Sequence, residues 1–211
     1  ENDLFQYKIN YNTTSPTSEA MFNGNISSVF SRTKTDNIFR GYSFNYDHLN
    51  RLKEAKNIYY QNGGWMMGVK ADDFYDEALN YDKNGNILTL YRTTKVNDQK
   101  VIIDDLSYTY TANQLQTVTD ATNSPAGFKD GNKVGNDYTY DVFGNLKTDK
   151  NKGITNITYN HLNLPVEITF ATGKITYTYN ATGTKVKKTV QPNSGVAQTT
   201  DYLFGFEYEN G

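Results

Sequence analysis

The sequence predicts an all-β protein whose antiparallel hairpins repeat along a sheet. A tyrosine-centred unit recurs six times, and Thr, Tyr, Val and Ile dominate the segments that flank it. Residues of this kind favour half-buried strands over helices. The chain has 211 residues and 14% aromatics, so it is long enough to bury a core and too aromatic to remain disordered.

The recurring unit reads aromatic, any residue, Tyr, then Asp or Asn, a short turn and an aliphatic return residue. Its three clear copies span residues 44–52, 79–87 and 138–146. Such internal repetition indicates an array in which each unit packs on its neighbours. The second tyrosines of the six units are Tyr46, Tyr81, Tyr110, Tyr140, Tyr159 and Tyr179, spaced 19 to 35 residues apart.

Each unit is predicted to form a strand, a tight turn and a return strand. Residues two apart in a strand share a face, so Tyr138 and Tyr140 lie on one side and Thr139 on the other. The Asp or Asn after the tyrosine can accept a downstream amide in an Asx-turn, and glycine can adopt a positive φ. The predicted turn residues are Asp47, Asp82, Gly85, Asp141, Gly144, Asn160, Asn180 and Gly183.

Segments between the units are predicted to be surface loops. The insertions are Asn57 to Met67, Thr93 to Lys100 and Asp120 to Asn136, the last of which is rich in Gly, Asn, Asp and Pro. Two segments, Pro16 to Phe22 and Lys70 to Leu79, have a turn or two of helical spacing and are the only helix candidates. Because no linker interrupts the pattern, residues 1–211 are predicted to form a single repeat region.

Charge and composition exclude several classes of function. The formal net charge is -2, from 21 Lys+Arg and 23 Asp+Glu, so no overall field would attract nucleic acid. The chain has no Cys, which excludes disulfides and thiolate metal sites. No apolar run approaches the about 18 residues of a membrane span. The first residues, Glu1-Asn2-Asp3, favour a fragment of a larger chain.

These motifs resemble the RHS (YD-repeat) family. The resemblance covers Phe22 to Gly211, and it rests on the six tyrosine units, on Arg40 to Leu52 and on the closing segment Asp201 to Gly211. The form is similar to that found in large secreted proteins of Bacteroidetes-type bacteria. It implies a curled β-ribbon that is part of a hollow shell and that encloses or presents a C-terminal toxin or effector.

The resemblance also implies partners and a location. Further repeats of the same or an adjoining chain would flank this segment, and the protein would be secreted or attached to the bacterial cell surface. The family's self-cleaving core follows a segment that resembles Asp201 to Gly211. That core is absent from this sequence, so no self-cleavage residue is carried over.

No motif predicts catalysis, a cofactor or a metal site, and we do not expect an enzyme. His48 and His161 both stand two residues after a repeat tyrosine, which is typical of turn residues in a translated array. The segment Asp82 to Asn86 starts like a calcium loop, but Ile87 stands where Gly is required and Thr93 where Glu is required. Six acidic residues are expected to be solvated or to cap turns: Asp72, Asp73, Asp76, Glu77, Asp104 and Asp105.

An alternative function is carbohydrate binding or adhesion at the cell surface. Trp65, Tyr59 and Tyr60 lie in the first insertion, and aromatic rings of this kind stack on sugars. Aromatic packing is favoured over glycan contact, because alternating tyrosines are what cross-strand packing in a sheet requires. The open ends of such a sheet expose unpaired backbone, so we expect the isolated segment to be marginally stable or to self-associate.

Overall fold

The computed structural model describes residues 3–15, 18–35, 37–61, 64–66 and 74–210, without the side chains of residues 61 and 64–66. This described part contains 17 β-strands and no helix. The strands form two antiparallel sheets, so the predicted all-β antiparallel fold is confirmed.

The first sheet has nine strands. They are β1 (Phe5–Asn10), β2 (Ser28–Thr33), β3 (Phe39–Tyr46), β4 (Leu52–Gln61), β5 (Gly64–Met66), β6 (Glu77–Tyr81), β7 (Ile87–Val96), β8 (Gln99–Thr111) and β9 (Gln114–Asp120). Their order in space is β1-β2-β3-β4-β6-β7-β8-β9, and β5 pairs with β4. Sequence neighbours are therefore spatial neighbours almost throughout, as hairpin connections require.

The second sheet has eight strands in simple sequence order. They are β10 (Tyr138–Tyr140), β11 (Leu146–Asp149), β12 (Ile154–Tyr159), β13 (Pro165–Phe170), β14 (Gly173–Tyr179), β15 (Lys185–Pro192), β16 (Gln198–Leu203) and β17 (Phe206–Glu209). In such a meander every second turn lies at the same end of the strands, so the tyrosine turns of this sheet form one row.

The chain divides into two compact units. The first contains Glu1–Tyr108 and Thr119–Phe128, and the second contains Thr109–Val118 and Lys129–Gly211. In the first unit, Ile58 is fully buried and its neighbour Tyr59 is also buried. Because successive strand residues point to opposite sides, both faces of β4 are covered there.

The second unit has a different kind of core. Of its described apolar side chains, only Val118 and Ile157 are buried. Its sheet therefore has few deeply buried apolar groups. Most of its stabilisation must come from strand pairing and from side chains packed across neighbouring strands.

The two faces of the second sheet differ in chemistry. One row of directly paired residues crosses four strands as Ile157, Ile168, Ile175 and Val190. The next row, on the opposite face, consists of Thr158, Glu167, Thr176, Thr189 and Thr199. This arrangement gives the sheet one aliphatic and aromatic face and one hydroxyl-bearing, charged face.

Two of the three predicted surface loops are wrong. Residues 57–61 continue β4 and residues 64–66 form β5, so the described part of the first insertion is a hairpin. Thr93 to Val96 and Gln99 to Lys100 continue β7 and β8 around a two-residue turn. These residues are part of the strands because their backbone amides and carbonyls form hydrogen bonds with the neighbouring strand. The third insertion is irregular beyond the end of β9, as predicted.

Neither helix candidate forms a helix within the described residues. Ser18 makes an isolated bridge with Ser15, and Glu77 begins β6. Residues 16, 17 and 70–73 of these candidates lie outside the described residues. No described helix has the length and hydropathy needed to cross a bilayer.

Candidate functional site

Five of the six tyrosine units form the same hairpin turn, which is the repeated polar site of this chain. Each hairpin has a repeat tyrosine, then a turn acceptor, and a closing residue four positions after the acceptor. The repeat tyrosines are Tyr46, Tyr81, Tyr140, Tyr159 and Tyr179; the turn acceptors are Asp47, Asp82, Asp141, Asn160 and Asn180; the closing residues are Arg51, Asn86, Asn145, Leu164 and Thr184.

The main chain of all five turns is hydrogen-bonded in the same way. The amide of the turn acceptor donates to the carbonyl of the closing residue at 2.9 Å, and the acceptor carbonyl accepts an amide three residues on. The repeat tyrosine sits at a register shift in each hairpin. Such a bulge after a tight turn is a common hairpin connection, and it fixes the register of both strands.

The side chain of each turn acceptor closes the loop from inside. Its Oδ1 accepts the amide two residues on and the amide of the closing residue, at 2.8 to 3.0 Å. These are Asx-turn bonds, which satisfy amides that the strands cannot reach. Asp and Asn both supply the required oxygen, so both occur at this position.

One position in each turn has a left-handed backbone. The residue three after the acceptor has a positive φ in all five hairpins, and it is Gly or Asn in each, the residue types that adopt this conformation at the least cost. Sequence reasoning identified the glycines but missed the two asparagines, which aligning the repeats would have found. These residues are Asn50 (φ 62°), Gly85 (φ 93°), Gly144 (φ 86°), Asn163 (φ 56°) and Gly183 (φ 83°).

The turn acceptors fall into two classes. In the three Asp turns, the second carboxylate oxygen accepts a bond from the closing side chain: Arg51 Nε at 2.6 Å, Asn86 Nδ2 at 2.8 Å and Asn145 Nδ2 at 3.0 Å. In the two Asn turns the corresponding group is an amide nitrogen, which cannot accept. Their closing residues are Leu164 and Thr184. The acceptor and the closing residue therefore vary together.

The repeat tyrosine joins each hairpin to the preceding repeat. Its hydroxyl donates to a backbone carbonyl at the return position of that repeat, at 2.7 to 2.9 Å in all five hairpins. The ring thus packs within its own sheet while the hydroxyl satisfies a carbonyl one repeat away. The accepting carbonyls belong to Ile26, Leu52, Leu115, Leu146 and Pro165.

Burial makes these hydroxyls still harder to ionise than an ordinary phenol. Desolvation raises the pKa of all five repeat tyrosines above 10.0. Each phenol is therefore a neutral donor across the physiological pH range. A hydrogen-bonded neutral phenol is suited to holding structure, whereas a catalytic tyrosine commonly needs a pKa nearer to the working pH.

The Asp turn acceptors are held in the ionised form. The bond from the Asn86 side chain is the main cause that lowers the pKa of Asp82 below 3.8. Partial desolvation works against ionisation of Asp47 and Asp141, but hydrogen bonds from the turn outweigh it and lower the pKa of both carboxyls. These carboxylates accept hydrogen bonds from groups of their own turns.

The unit at Tyr110 departs from this pattern. Its strands β8 and β9 are joined by a two-residue turn in which Ala112 has a φ of 53°. The loop is therefore too short for the acceptor and closing residue of the other hairpins. The carbonyl of Leu115, the second residue of the return strand β9, nevertheless accepts a bond from the hydroxyl of Tyr140. The shortened unit keeps its link to the next repeat.

The aromatic residues proposed for glycan contact lie on paired strands. Tyr60 pairs with Trp65 and Tyr59 with Met66 in the β4–β5 hairpin. Tyr59 is only 4% exposed, so its ring presents no face to a sugar, whereas Tyr60 is 39% exposed. The side chain of Trp65 lies outside the described residues. Contact of Trp65 and Tyr60 with a glycan stays a prediction.

The acidic residue Asp104 was wrongly expected to be solvated or to cap a turn. Its side chain is fully buried and pairs with Arg92, with Nη2 at 2.5 Å and Nε at 2.6 Å. Its other oxygen accepts the amide of Phe128 at 2.6 Å. A charge buried this deeply needs such partners, and here they tie the third insertion to β8.

The other acidic residues that were expected to be solvated or to cap turns make hydrogen bonds or lie on paired strands where the structure describes them. Asp76 accepts the amide of Asn57 at 3.0 Å and lies 3.4 Å from Lys100 Nζ. Glu77 is at the start of β6 opposite Arg92. The amide of Asp105 donates to the side chain of Asp120, the last residue of β9. Asp72 and Asp73 lie outside the described residues.

Asp120 and Asp137 are further buried carboxylates that escaped sequence reasoning. Asp120 accepts the amide of Asp105 at 3.1 Å, and Asp137 accepts the amide of Val118 at 2.7 Å. Both satisfy backbone amides where a strand leaves regular pairing. In the sequence, Asp120 begins the Gly- and Asn-rich insertion and Asp137 directly follows it, which does not reveal their distant partners.

No metal site is formed by the described side chains. Among them, no group of three or more His, Asp and Glu is placed to hold an ion. His48 and His161 are exposed at equivalent tip positions of their turns. The oxygens of the turn acceptors point into their own loops, where they bind amides. The polar groups of the repeated turns therefore bind other groups of the same chain.

Comparison with known proteins points to one kind of fold. The structure is similar to a chain of the Photorhabdus luminescens Tc holotoxin pore with a mutated TccC3, at a TM-score of 0.57 and 12% identity over 98% of this chain. It is also similar to a chain of the TcdB2-TccC3 crystal structure, at a TM-score of 0.60 and 12% identity over 97% of this chain. This chain spans 11% of each of those chains. No protein-family model and no curated protein matches the sequence.

Proposed function

We propose that this chain is a structural segment of an RHS-type β-shell and has no catalytic activity of its own. The observation that carries this proposal is the repeated tyrosine link, in which the hydroxyls of five hairpins donate to carbonyls of their preceding repeats. In an enzyme, such hydroxyl and carbonyl groups would be available to bind substrate. Here they are hydrogen-bonded to each other between repeats. Such nearest-neighbour bonding is how repeat arrays gain stability.

The comparisons support the same proposal. The similar structures are Tc toxin chains, which are RHS-repeat proteins, and the sequence resembles that family through its tyrosine units. Identity is only 12%, so the likeness concerns the fold. By this proposal the segment associates with further repeats of a secreted protein and helps to enclose or present a toxin or effector.

The second sheet is suited to be such a wall. Its aliphatic row crosses four strands from Ile157 to Val190, and a threonine-rich row lies on the opposite face. A sheet with two unlike faces can separate two environments. By this proposal the aliphatic and aromatic face is turned towards the enclosed segment and the hydroxyl-bearing face towards water, because apolar surface is stabilised by removal from solvent.

Electron cryo-microscopy of the natural full-length chain tests the proposal. The expected result is that residues 3–210 form part of a continuous wall around internal density, with the aliphatic face of the second sheet inward. A segment that stands apart from any wall, or a wall with no enclosed density, would contradict it. A broad hydrolase substrate panel tests the absence of activity, and turnover that is lost on changing one acidic pair would overturn that part.

A further inference from the structure

The second sheet carries a row of exposed side chains on one set of hairpin turns. The turns β10–β11, β12–β13, β14–β15 and β16–β17 lie at the same end of the strands, because a meander alternates ends. We call their tips, together with Leu203 at the end of β16, the turn row. It consists of Val142, Phe143, His161, Leu162, Ala181, Thr182, Leu203 and Phe204.

The turn row is strongly apolar and exposed. Val142 is 93% exposed, Phe143 80% and Phe204 96%, while Leu162 and Leu203 are about half exposed. It contains no Lys, Arg, Asp or Glu. Turns at the opposite end of the same strands include Lys150 and Lys152 and one strongly exposed apolar side chain, Val196, so large exposed apolar side chains are concentrated at the turn-row end. A concentrated apolar surface of this kind marks an interaction site.

The four tips are contiguous. Asn145 of the first turn donates to Asn163 of the second at 3.0 Å. Leu162 Cδ1 of the second turn lies 3.7 Å from the position that a Cβ on Gly183 of the third would occupy. The third and fourth turns border a common recess of about 490 Å³, which is lined by Leu203 and Phe204 and also by the charged Lys185 and Glu207.

Side-chain size along the row suits a second copy of this chain. The first and fourth tips are large, the second carries Leu162, and the third carries the small Ala181. Under a two-fold axis the first tip faces the fourth of the other copy, and the second faces the third. Leu162 would then cover Ala181 of the other copy, and Phe143 would enter the recess beside Phe204.

We propose that the turn row is a dimerisation surface on which a second copy of this chain docks, with the two rows antiparallel. The eight residues of the row include no Lys, Arg, Asp or Glu, so they add no like-charge repulsion of their own between two copies. Each aromatic side chain can bury about 150 to 250 Å². Two phenylalanines and three aliphatic residues per copy therefore approach the about 800 Å² per partner of a stable interface. This inference concerns a surface that the shell proposal does not use.

Disulfide trapping tests the proposed geometry, because the natural chain has no cysteine. Phe143→Cys combined with Phe204→Cys is expected to give a covalent dimer under mild oxidation. The two positions of one copy lie about six strand spacings of about 4.8 Å apart, too far for an internal bond. Phe143→Cys combined with Val196→Cys, at the opposite end of the strands, is the matched control. Equal cross-linking in both variants would overturn the proposed pairing.

Sedimentation velocity tests the surface without cysteines. The natural chain is expected to dimerise reversibly, and Phe143→Ser with Leu162→Ser is expected to weaken dimerisation by at least about 100-fold. Val196→Ser, which removes an equally exposed apolar side chain elsewhere, should change it less than about twofold. Far-UV circular dichroism confirms that each variant is folded.

Three outcomes would overturn the proposal. One is a natural chain that stays monomeric at its highest soluble concentration. Another is a dimer that survives the turn-row variant but is lost on Tyr208→Pro in β17, which would assign association to the strand edge. The third is turn-row-dependent binding to neutral lipid vesicles without dimerisation, which would assign the row to a membrane surface.

Discussion

The Asp turns and the Asn turns of this chain have the same backbone but distribute their polar bonds differently. Both classes use Oδ1 of the acceptor to bind two amides of the loop. Only the Asp turns must also satisfy a second oxygen, and each has a closing side chain that donates to it. Asp82 with Asn86 represents one class, and Asn180 with Thr184 the other.

This difference separates the essential from the variable parts of the repeat. The tyrosine hydroxyl, the left-handed residue and one acceptor oxygen recur in both classes, so they define the hairpin. The charge of the turn acceptor and the closing side chain change together. A carboxylate oxygen that lacks a hydrogen-bond donor costs more free energy than an amide group in the same place. The closing side chain of Arg51 makes a second bond, because it also donates to the carbonyl of Asp82 at 2.8 Å.

Removal of a repeat tyrosine should have the largest effect, and it should be equal in the two classes. Tyr140→Ala and Tyr179→Ala each lose a half-buried ring and its bond to the preceding repeat. We expect each to lower the free energy of unfolding by about 3 kcal/mol. Urea denaturation measures the loss. An effect in one class alone would mean that the link is not a shared part of the repeat.

The left-handed residue should tolerate Asn but not a branched side chain. Gly144 has a φ of 86°, and a Cβ there would meet nothing closer than 3.9 Å. Gly144→Val should therefore cost about 1 to 2 kcal/mol from the backbone conformation alone. Gly144→Asn should cost less, as Asn50 and Asn163 occupy the equivalent position. Equal losses from Val and Asn, measured by thermal unfolding, would argue against this explanation.

The closing side chain should matter only in the Asp class. Asn86→Ala is expected to lower the melting temperature slightly and to raise the pKa of Asp82 towards 3.8, because the Asn86 side chain is the main cause of its lowered value. Thr184→Ala in an Asn turn should be nearly neutral. Carbon-detected NMR titration reports the pKa directly. If Asn86→Ala has the same effect in an Asp82→Asn background, the two side chains are not coupled.

Acid should weaken the Asp class selectively. The pKa values of Asp47, Asp82 and Asp141 are lowered below 3.8 on folding, so these turns contribute stability that is fully present above pH 3.8. That stability is lost as the pH falls through the folded pKa values. Asp120, whose pKa is also lowered, adds to the loss. A variant with all three acceptors changed to Asn should show a shallower acid transition than the natural chain.

Much of the hairpin could be predicted because its causes are local. Asp47 and Gly85 determine their turns through amides only a few residues away, and the alternation of Tyr138 with Thr139 identifies the faces of one strand. Even the left-handed Asn163 follows once the repeats are aligned. Such features can be predicted from the sequence because they depend on hydrogen bonds between residues that are close along the chain.

The remaining features depend on partners far along the chain. The bond from Tyr140 to Leu115 spans 25 residues, and Asp104 is buried because Arg92 and Phe128 reach it. Charged side chains are mostly exposed in folded proteins, so sequence reasoning placed Asp104 in solvent. Only the folded arrangement brings its two partners together and makes its burial favourable.

Replacing each repeat tyrosine by phenylalanine tests the link between repeats most directly, because the ring is kept and only the hydroxyl is removed. If hydroxyl bonds join the repeats, Tyr46→Phe, Tyr81→Phe, Tyr140→Phe, Tyr159→Phe and Tyr179→Phe should each reduce the free energy of unfolding by about 1 kcal/mol in urea. Tyr75→Phe, at an exposed tyrosine outside the repeat, is the matched control and should be neutral. Five variants as stable as the natural chain would contradict a structural role for the repeated hydroxyls.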